Sequence, residues 1–140
     1  MKTEFESITF RELDRNAGHE VDEQTWESLV NQGSLPAWHR EVYDTPFGQF
    51  TDFDLCRSLR QTLYLNEVIP VAITRCLEDP AAGDHVDADL AVHIIEHGSE
   101  FLQSHPDELK RFLSVIPEAI SASYVPEDQD FLRSFLERHK

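Results

Sequence analysis

The sequence predicts an all-α protein, a single domain over residues 1–140 built as an irregular bundle of about six to eight helices. Three observations lead there. From Thr51 onward apolar residues recur three and four apart. Capping residues, glycines and prolines fall between those runs. No segment sustains the period-2 alternation of a half-buried strand, and neither a heptad seam nor an internal repeat stands out. With 140 residues, 40% of them hydrophobic and 28% charged, the chain is long enough to bury one core without staples.

The first 50 residues carry the weakest pattern and read as loosely helical at best. Phe5-Glu6-Ser7-Ile8-Thr9-Phe10 suits a strand or a helix equally. Asp22 or Thr25 can cap a short helix bearing Trp26, Leu29 and Val30, which Gly33 and Pro36 stop. A second short piece holds Trp38, Val42 and Tyr43 before the turn residues Asp44-Thr45-Pro46-Phe47-Gly48.

Thr51 and Asp54 then resemble a capping box in which the shorter acid replaces Glu or Gln. Leu55, Leu59 and Leu63 fall four apart with Cys56 beside them, one apolar stripe of a helix. Asn66 can cap the next, where Val68, Ile69, Ala72, Ile73, Cys76 and Leu77 form a broad apolar arc and Pro70 is early enough to sit in the first turn. Pro80 and Gly83 end that element. Asp84 or Asp87 can cap a helix carrying Leu90, Ala91, Ile94, Ile95 and Phe101, with Gly98 as a point of interruption. Ser104 and Pro106 open a run of Leu109, Phe112, Leu113 and Ile116 closed by Pro117. Glu127 to about His139 is the last helix, and its cationic end suits a helix C-terminus.

Charge narrows the functional classes. Twelve Lys and Arg against 27 Asp and Glu leave a net of −15. Residues 1–50 carry ten acids and four bases, and residues 81–100 carry five acids and no base. Such a field repels nucleic acid and anionic membrane and steers a basic protein toward the surface. No apolar run approaches the roughly 20 residues a membrane helix needs, and the start, Met1-Lys2-Thr3-Glu4-Phe5-Glu6, turns acidic at once without a signal-like apolar stretch. A cytoplasmic protein is expected. The two cysteines, Cys56 and Cys76, read as small buried hydrophobes.

One motif argues for chemistry. His93-Ile94-Ile95-Glu96-His97 matches the H-x-x-E-H pattern of a class of zinc peptidases. On a helix both imidazoles project to one side, as zinc requires. A peptidase also needs a third ligand, an open coordination position and a cleft. In those peptidases the third ligand comes from far downstream in a much larger domain, and 43 residues follow His97 here. Glu96 or Glu100 could complete only an adventitious site. With no phosphate loop and no Cys-x-x-Cys either, we expect no enzyme, no metal and no cofactor.

The blocks Phe50-Thr51-Asp52-Phe53-Asp54-Leu55-Cys56-Arg57-Ser58-Leu59-Arg60-Gln61, Leu65-Asn66-Glu67-Val68-Ile69-Pro70-Val71-Ala72, Leu77-Glu78-Asp79-Pro80 with Gly83-Asp84, and Asp89-Leu90 resemble the immunity proteins of contact-dependent growth inhibition (CDI) systems. The resemblance covers roughly Trp38 to Phe112. It departs after Gly83-Asp84, where the family often has an aromatic, Pro and Gly before the next Asp and this chain has His85-Val86-Asp87-Ala88. The resemblance implies a binding protein that holds the C-terminal toxin domain delivered by a neighbouring cell, commonly a nuclease. A basic nuclease as partner agrees with the charge. Another acidic helical interaction module, such as an adaptor or a nucleic-acid mimic, is the alternative.

The candidate toxin-binding residues are Asp79, Asp84, Asp87, Asp89, Glu96 and Glu100, crowded around the turn before the His93 helix with no intervening base. A second candidate is Glu20, Asp22, Glu23 and Glu27. A third is the aromatic loop Tyr43, Phe47 and Phe50, which reads better as core than as anchor. The free protein is expected to be a monomer.

Overall fold

The computed structural model describes residues 3–140; Met1 and Lys2, part of the acidic start, lie outside them. The all-α expectation is met, with eight α-helices and no strand among the described residues. Contacts gather into two compact units, residues 4–50 and residues 51–140.

In the 4–50 unit a 3-10 turn, Glu4–Ser7, leads into α1 (Phe10–Asn16), α2 (Glu23–Leu29) and α3 (Ser34–Val42). The ambiguous Phe5–Phe10 stretch forms no strand: Phe5–Ser7 lie in the 3-10 turn, Ile8 and Thr9 are irregular, and Phe10 opens α1, which the Thr9 hydroxyl caps by accepting from the Glu12 N–H at 3.1 Å. Asp22, one of the two residues read as caps, accepts the Thr25 N–H and starts α2. Gly33 separates α2 from α3, whereas Pro36 falls in the first turn of α3, where a missing N–H costs nothing. These helices run only seven to nine residues, too short for a periodicity to emerge, so aromatic burial rather than propensity holds them. Phe10, Trp26, Trp38, Tyr43, Phe47 and Phe50 are all buried. Phe10 meets Phe47 edge-on at 5.0 Å and Trp26 meets Tyr43 at 5.1 Å. The Tyr43 hydroxyl donates to Asp14 at 2.7 Å and accepts the Val21 N–H at 3.0 Å.

His39 sits among these rings, 5.1 Å from Phe10 and 5.4 Å from Trp26. Burial holds its imidazole below the ordinary range against the pull of Asp14, and its Nε2 is buried without a partner. The folded chain then binds fewer protons here than the unfolded one. The stability from neutral His39 is full above the unfolded value of about 6.5 and declines as pH falls through the folded value.

The 51–140 unit holds α4 (Asp52–Arg60), α5 (Leu65–Glu78), α6 (Asp89–Ser104), α7 (Pro106–Ala122) and α8 (Pro126–Arg138). Helices α5 and α6 pack on each other, α4 and α7 pack against both, and α8 lies on α6 and α7. The capping box forms in both directions between Thr51 and Asp54. The apolar arc of α5 is buried without a break from Val68 to Thr74. Burying such side chains contributes about 1.5–3 kcal/mol each.

Several boundaries differ from the sequence reading. Helix α4 ends at Arg60, and Leu63 lies in a tight turn where Thr62 and Tyr64 take left-handed φ values of 53° and 46°. Helix α5 starts one residue before Asn66, with Tyr64 at the N-cap position and no side-chain cap. Pro70 sits in its second turn, and the Pro70 carbonyl accepts from Arg111 and from the Thr74 hydroxyl. Pro117 does not close α7, which continues to Ala122. The buried face of Phe112, Val115, Ile116 and Ala119 carries the helix past the one lost hydrogen bond.

Gly98 does not interrupt α6 either. It is buried, and a Cβ added there would lie 2.7 Å from Cδ1 of Ile69 on α5. A methyl there would have to push the enclosed Cδ1 aside. Gly98→Ala should therefore destabilise the chain by about 1–2 kcal/mol in urea unfolding, even though alanine is the better helix former. Ile69→Val, which removes Cδ1, should recover most of that loss in the double variant, and strict additivity would refute the contact. For His39, replacement by Phe should flatten the loss of stability between pH 7 and pH 5; parallel pH profiles of the two proteins would contradict the linkage.

Candidate functional site

The turn between α5 and α6 is built from carboxylates, and it uses them in two ways. Asp79 caps the end of α5 and accepts the Ala81 N–H at 3.1 Å. From α4, Asp52 accepts the Gly83 N–H at 3.2 Å and pairs with Arg75 at 2.9 Å. Asp89, in the first turn of α6, reaches back over the loop: Oδ1 accepts the Asp84 N–H at 2.8 Å, and Oδ2 accepts those of His85 at 3.1 Å and Val86 at 3.4 Å. The loop is tight enough that a Cβ on Gly83 would meet the Val86 carbonyl at 2.2 Å and Asp89 Oδ1 at 2.6 Å. Neither Asp84 nor Asp87 caps α6; Ala88, left-handed at φ 71°, occupies that position.

This geometry sorts the six candidate acids. Asp89 is only 6% exposed and holds the loop from inside, so it is not part of an outward face. The Asp84 side chain is 11% exposed and pairs with Arg60 at 3.4 Å. Asp79, Asp87, Glu96 and Glu100 are exposed. Glu96 borders a shallow pocket of about 230 Å³ together with Val92, Glu127, Asp128 and Phe131. Glu100 borders another, of about 430 Å³, with Leu65, Asn66, His97, Phe101 and His105.

Glu127 and Asp128, on the first turn of α8, were not among the candidate toxin-binding residues. The Asp128 carboxyl is held above the usual carboxylate range, first by partial burial and then by repulsion from Asp89, Glu127 and Glu96. Among the described residues no Lys or Arg pairs with Glu96, Glu127 or Asp128. Their signal in sequence was ordinary, two acids in a helix first turn, and only the packing of α8 on α6 brings them to Glu96.

The other two candidates fare differently. Glu20 is paired with Arg11 at 3.0 Å and Arg15 at 2.7 Å, and the two guanidiniums hold its carboxyl below the usual range. Asp22 is the α2 cap, and Glu23 pairs with Arg40. Glu27 is exposed. Tyr43, Phe47 and Phe50 are inside the 4–50 unit, each at most 1% exposed, so the aromatic loop is core and offers no anchor.

The H-x-x-E-H histidines lie on α6 with their rings stacked 6.0 Å apart. His93 approaches Cys56 and Asp89, while His97 borders the pocket of Glu100. Burial first, and then Asp89, pushes the Cys56 thiol up, so it is no nucleophile as it stands. Cys76, fully enclosed, is pushed up in the same way.

Asp89→Ala leaves three loop N–H groups without their acceptor and should lower stability by about 3 kcal/mol in urea unfolding, whereas Asp87→Ala, exposed at the loop tip, should change it by less than about 0.5 kcal/mol. Equal losses would contradict the division of the acids into inward and outward sets.

No helix among the described residues is long and apolar enough to cross a membrane. No curated protein and no solved structure matches the chain. A family model described as CDI immunity proteins matches residues 20–112, beginning earlier than the blocks that carry the resemblance in sequence. That match spans more than half of the 140 residues, and the chain belongs to the CDI immunity proteins.

Proposed function

We propose that this immunity protein neutralises the C-terminal toxin domain of its cognate CDI effector in the cytoplasm, that the toxin domain is a basic nuclease, and that a monomer of this chain meets it with the outward acids of the 51–140 unit. The observation that carries the reading is the gathering of Glu96, Glu127 and Asp128, free of Lys or Arg partners among the described residues, around Val92 and Phe131. A nuclease presents cationic surface to phosphate, and a carboxylate cluster can occupy that surface in place of nucleic acid. Long-range charge sets the speed and orientation of encounter. Tightness needs apolar anchors, for which Val92 and Phe131 supply a floor. Asp87 extends the same negative field from the loop.

Two measurements test it. Cells carrying the toxin domain encoded immediately upstream should survive only when this chain is co-expressed, and the two proteins should co-purify; survival without it, or no complex, would sink the immunity reading. In the purified complex, Glu96→Gln, Glu127→Gln and Asp128→Asn combined should slow association at low salt by about tenfold and flatten its salt dependence. Unchanged association kinetics with protection intact would move the interface to another face.

A further inference from the structure

Three groups able to bind a metal ion converge inside the 51–140 unit. Cys56 comes from α4, and Asp89 and His93 stand four residues apart on α6, so that they project to the same side. Their ligand atoms all lie within 4.8 Å of one another. The Cys56 Sγ is 3.7 Å from Asp89 Oδ1. Zinc bonds of about 2.3 Å to sulfur and about 2.0–2.2 Å to a carboxylate oxygen, at a tetrahedral angle, hold S and O about 3.5–3.7 Å apart. The Cys56–Asp89 pair therefore already has nearly the length of one edge of such a site. His93 is the third corner. Its Nδ1 is buried and makes no hydrogen bond, the Glu96 carboxylate standing 3.9 Å away, and burial keeps the ring toward the neutral form a metal needs.

The support behind these groups is that of a ligand shell. Asp89 is fixed by three loop N–H groups, the kind of outer contact that orients a metal-binding carboxylate. Burial and the Asp89 and Asp84 carboxylates hold Cys56 as the thiol in the metal-free chain, with Arg60 opposing them only weakly, so an entering ion must displace the proton. The mixture of sulfur, imidazole and carboxylate suits zinc, whereas magnesium and calcium take oxygen ligands.

We propose that Cys56, Asp89 and His93 form a zinc site, with water as the fourth ligand, that staples α4 to α6 and the loop between α5 and α6. On binding, the Cys56 S–H bond breaks, its proton leaves to solvent, and sulfur keeps the electron pair that forms the bond to zinc. The thiolate and the Asp89 carboxylate then balance the two positive charges of the ion, so no net charge is left buried. The site takes one histidine of the H-x-x-E-H motif and not the other.

The test uses the full chain, reduced, stripped with a chelator, and titrated with zinc by calorimetry and with cobalt(II) by absorption. The expected result is one ion per chain, release of about one proton, a thiolate-to-cobalt charge-transfer band and a raised Tm. Cys56→Ser should abolish the band and weaken binding by at least about 100-fold, and Cys76→Ser and His97→Ala should leave both unchanged. Because Cys56 is buried and its replacement risks the fold, His93→Gln, at a position whose side chain is 15% exposed, is the second variant, with circular dichroism recorded for each. It should weaken binding comparably while keeping a helical spectrum. Absence of saturable binding at micromolar zinc would overturn the site, as would a band that survives in Cys56→Ser or affinity lost in His97→Ala alone.

Discussion

The 51–140 unit depends on one carboxylate. Asp89 opens α6, and by accepting N–H groups from Asp84, His85 and Val86 it folds the preceding loop back onto the start of its own helix. An ionised carboxylate buried without such donors would cost far more than the loop's ordering returns; with three donors and a thiol around it, the charge is dispersed. The negative charge also stands at the N-terminal end of α6, where the helix dipole favours it. Gly83 belongs to the same arrangement, since any side chain there would collide with the Val86 carbonyl and with Asp89 itself. Everything near the loop follows from this: Asp84 is turned toward Arg60, Asp87 is left at the tip, and Asp89 lies beside Cys56 and His93.

Much of the 51–140 unit was legible in the sequence, because helices of nine to seventeen residues repeat their apolar faces often enough to be counted. The capping box at Thr51 and Asp54 was readable for a local reason: both partners lie within one turn. The 4–50 unit was not legible to the same degree. Its seven- to nine-residue helices are stabilised by rings that meet across the chain, such as Phe10 with Phe47, and no local pattern announces such a contact. Prolines misled for a related reason. Pro117 forfeits a backbone hydrogen bond, which alone argues for a helix end, and Pro70, expected in a first turn, sits one turn later; in each case a buried apolar face on the same helix outweighs the single loss.

The candidate site was half legible. Sequence located the acidic segment between Asp79 and Glu100 but could not tell which acids face out, because aspartates in a turn are equally suited to solvent and to loop N–H groups. Glu127 and Asp128 read in sequence only as the start of a helix, since only the packing of α8 on α6 makes them neighbours of Glu96. The H-x-x-E-H match failed in an instructive way. Spacing correctly placed His93 and His97 one turn apart, yet a ligand set depends on what the neighbouring helix offers, and α4 offers Cys56 to His93 alone.

Adjacent acids in this segment therefore obey opposite physical rules. Asp89 is useful because it is desolvated and hydrogen-bonded to the loop N–H groups, so its charge organises the chain around it while still being felt at Asp128. Asp87 and Glu96 are useful because they are solvated and not neutralised by a Lys or Arg, so their field reaches a Debye length of about 8–10 Å into solvent. The two sets are interleaved in sequence but differ in burial, Asp89 enclosed and Asp87 and Glu96 exposed. Outward acids can then be exchanged to suit one basic partner or another without disturbing the bundle, while an inward one cannot be changed without losing the loop. That separation is what a binding protein needs if its recognition is to be adjusted independently of its stability.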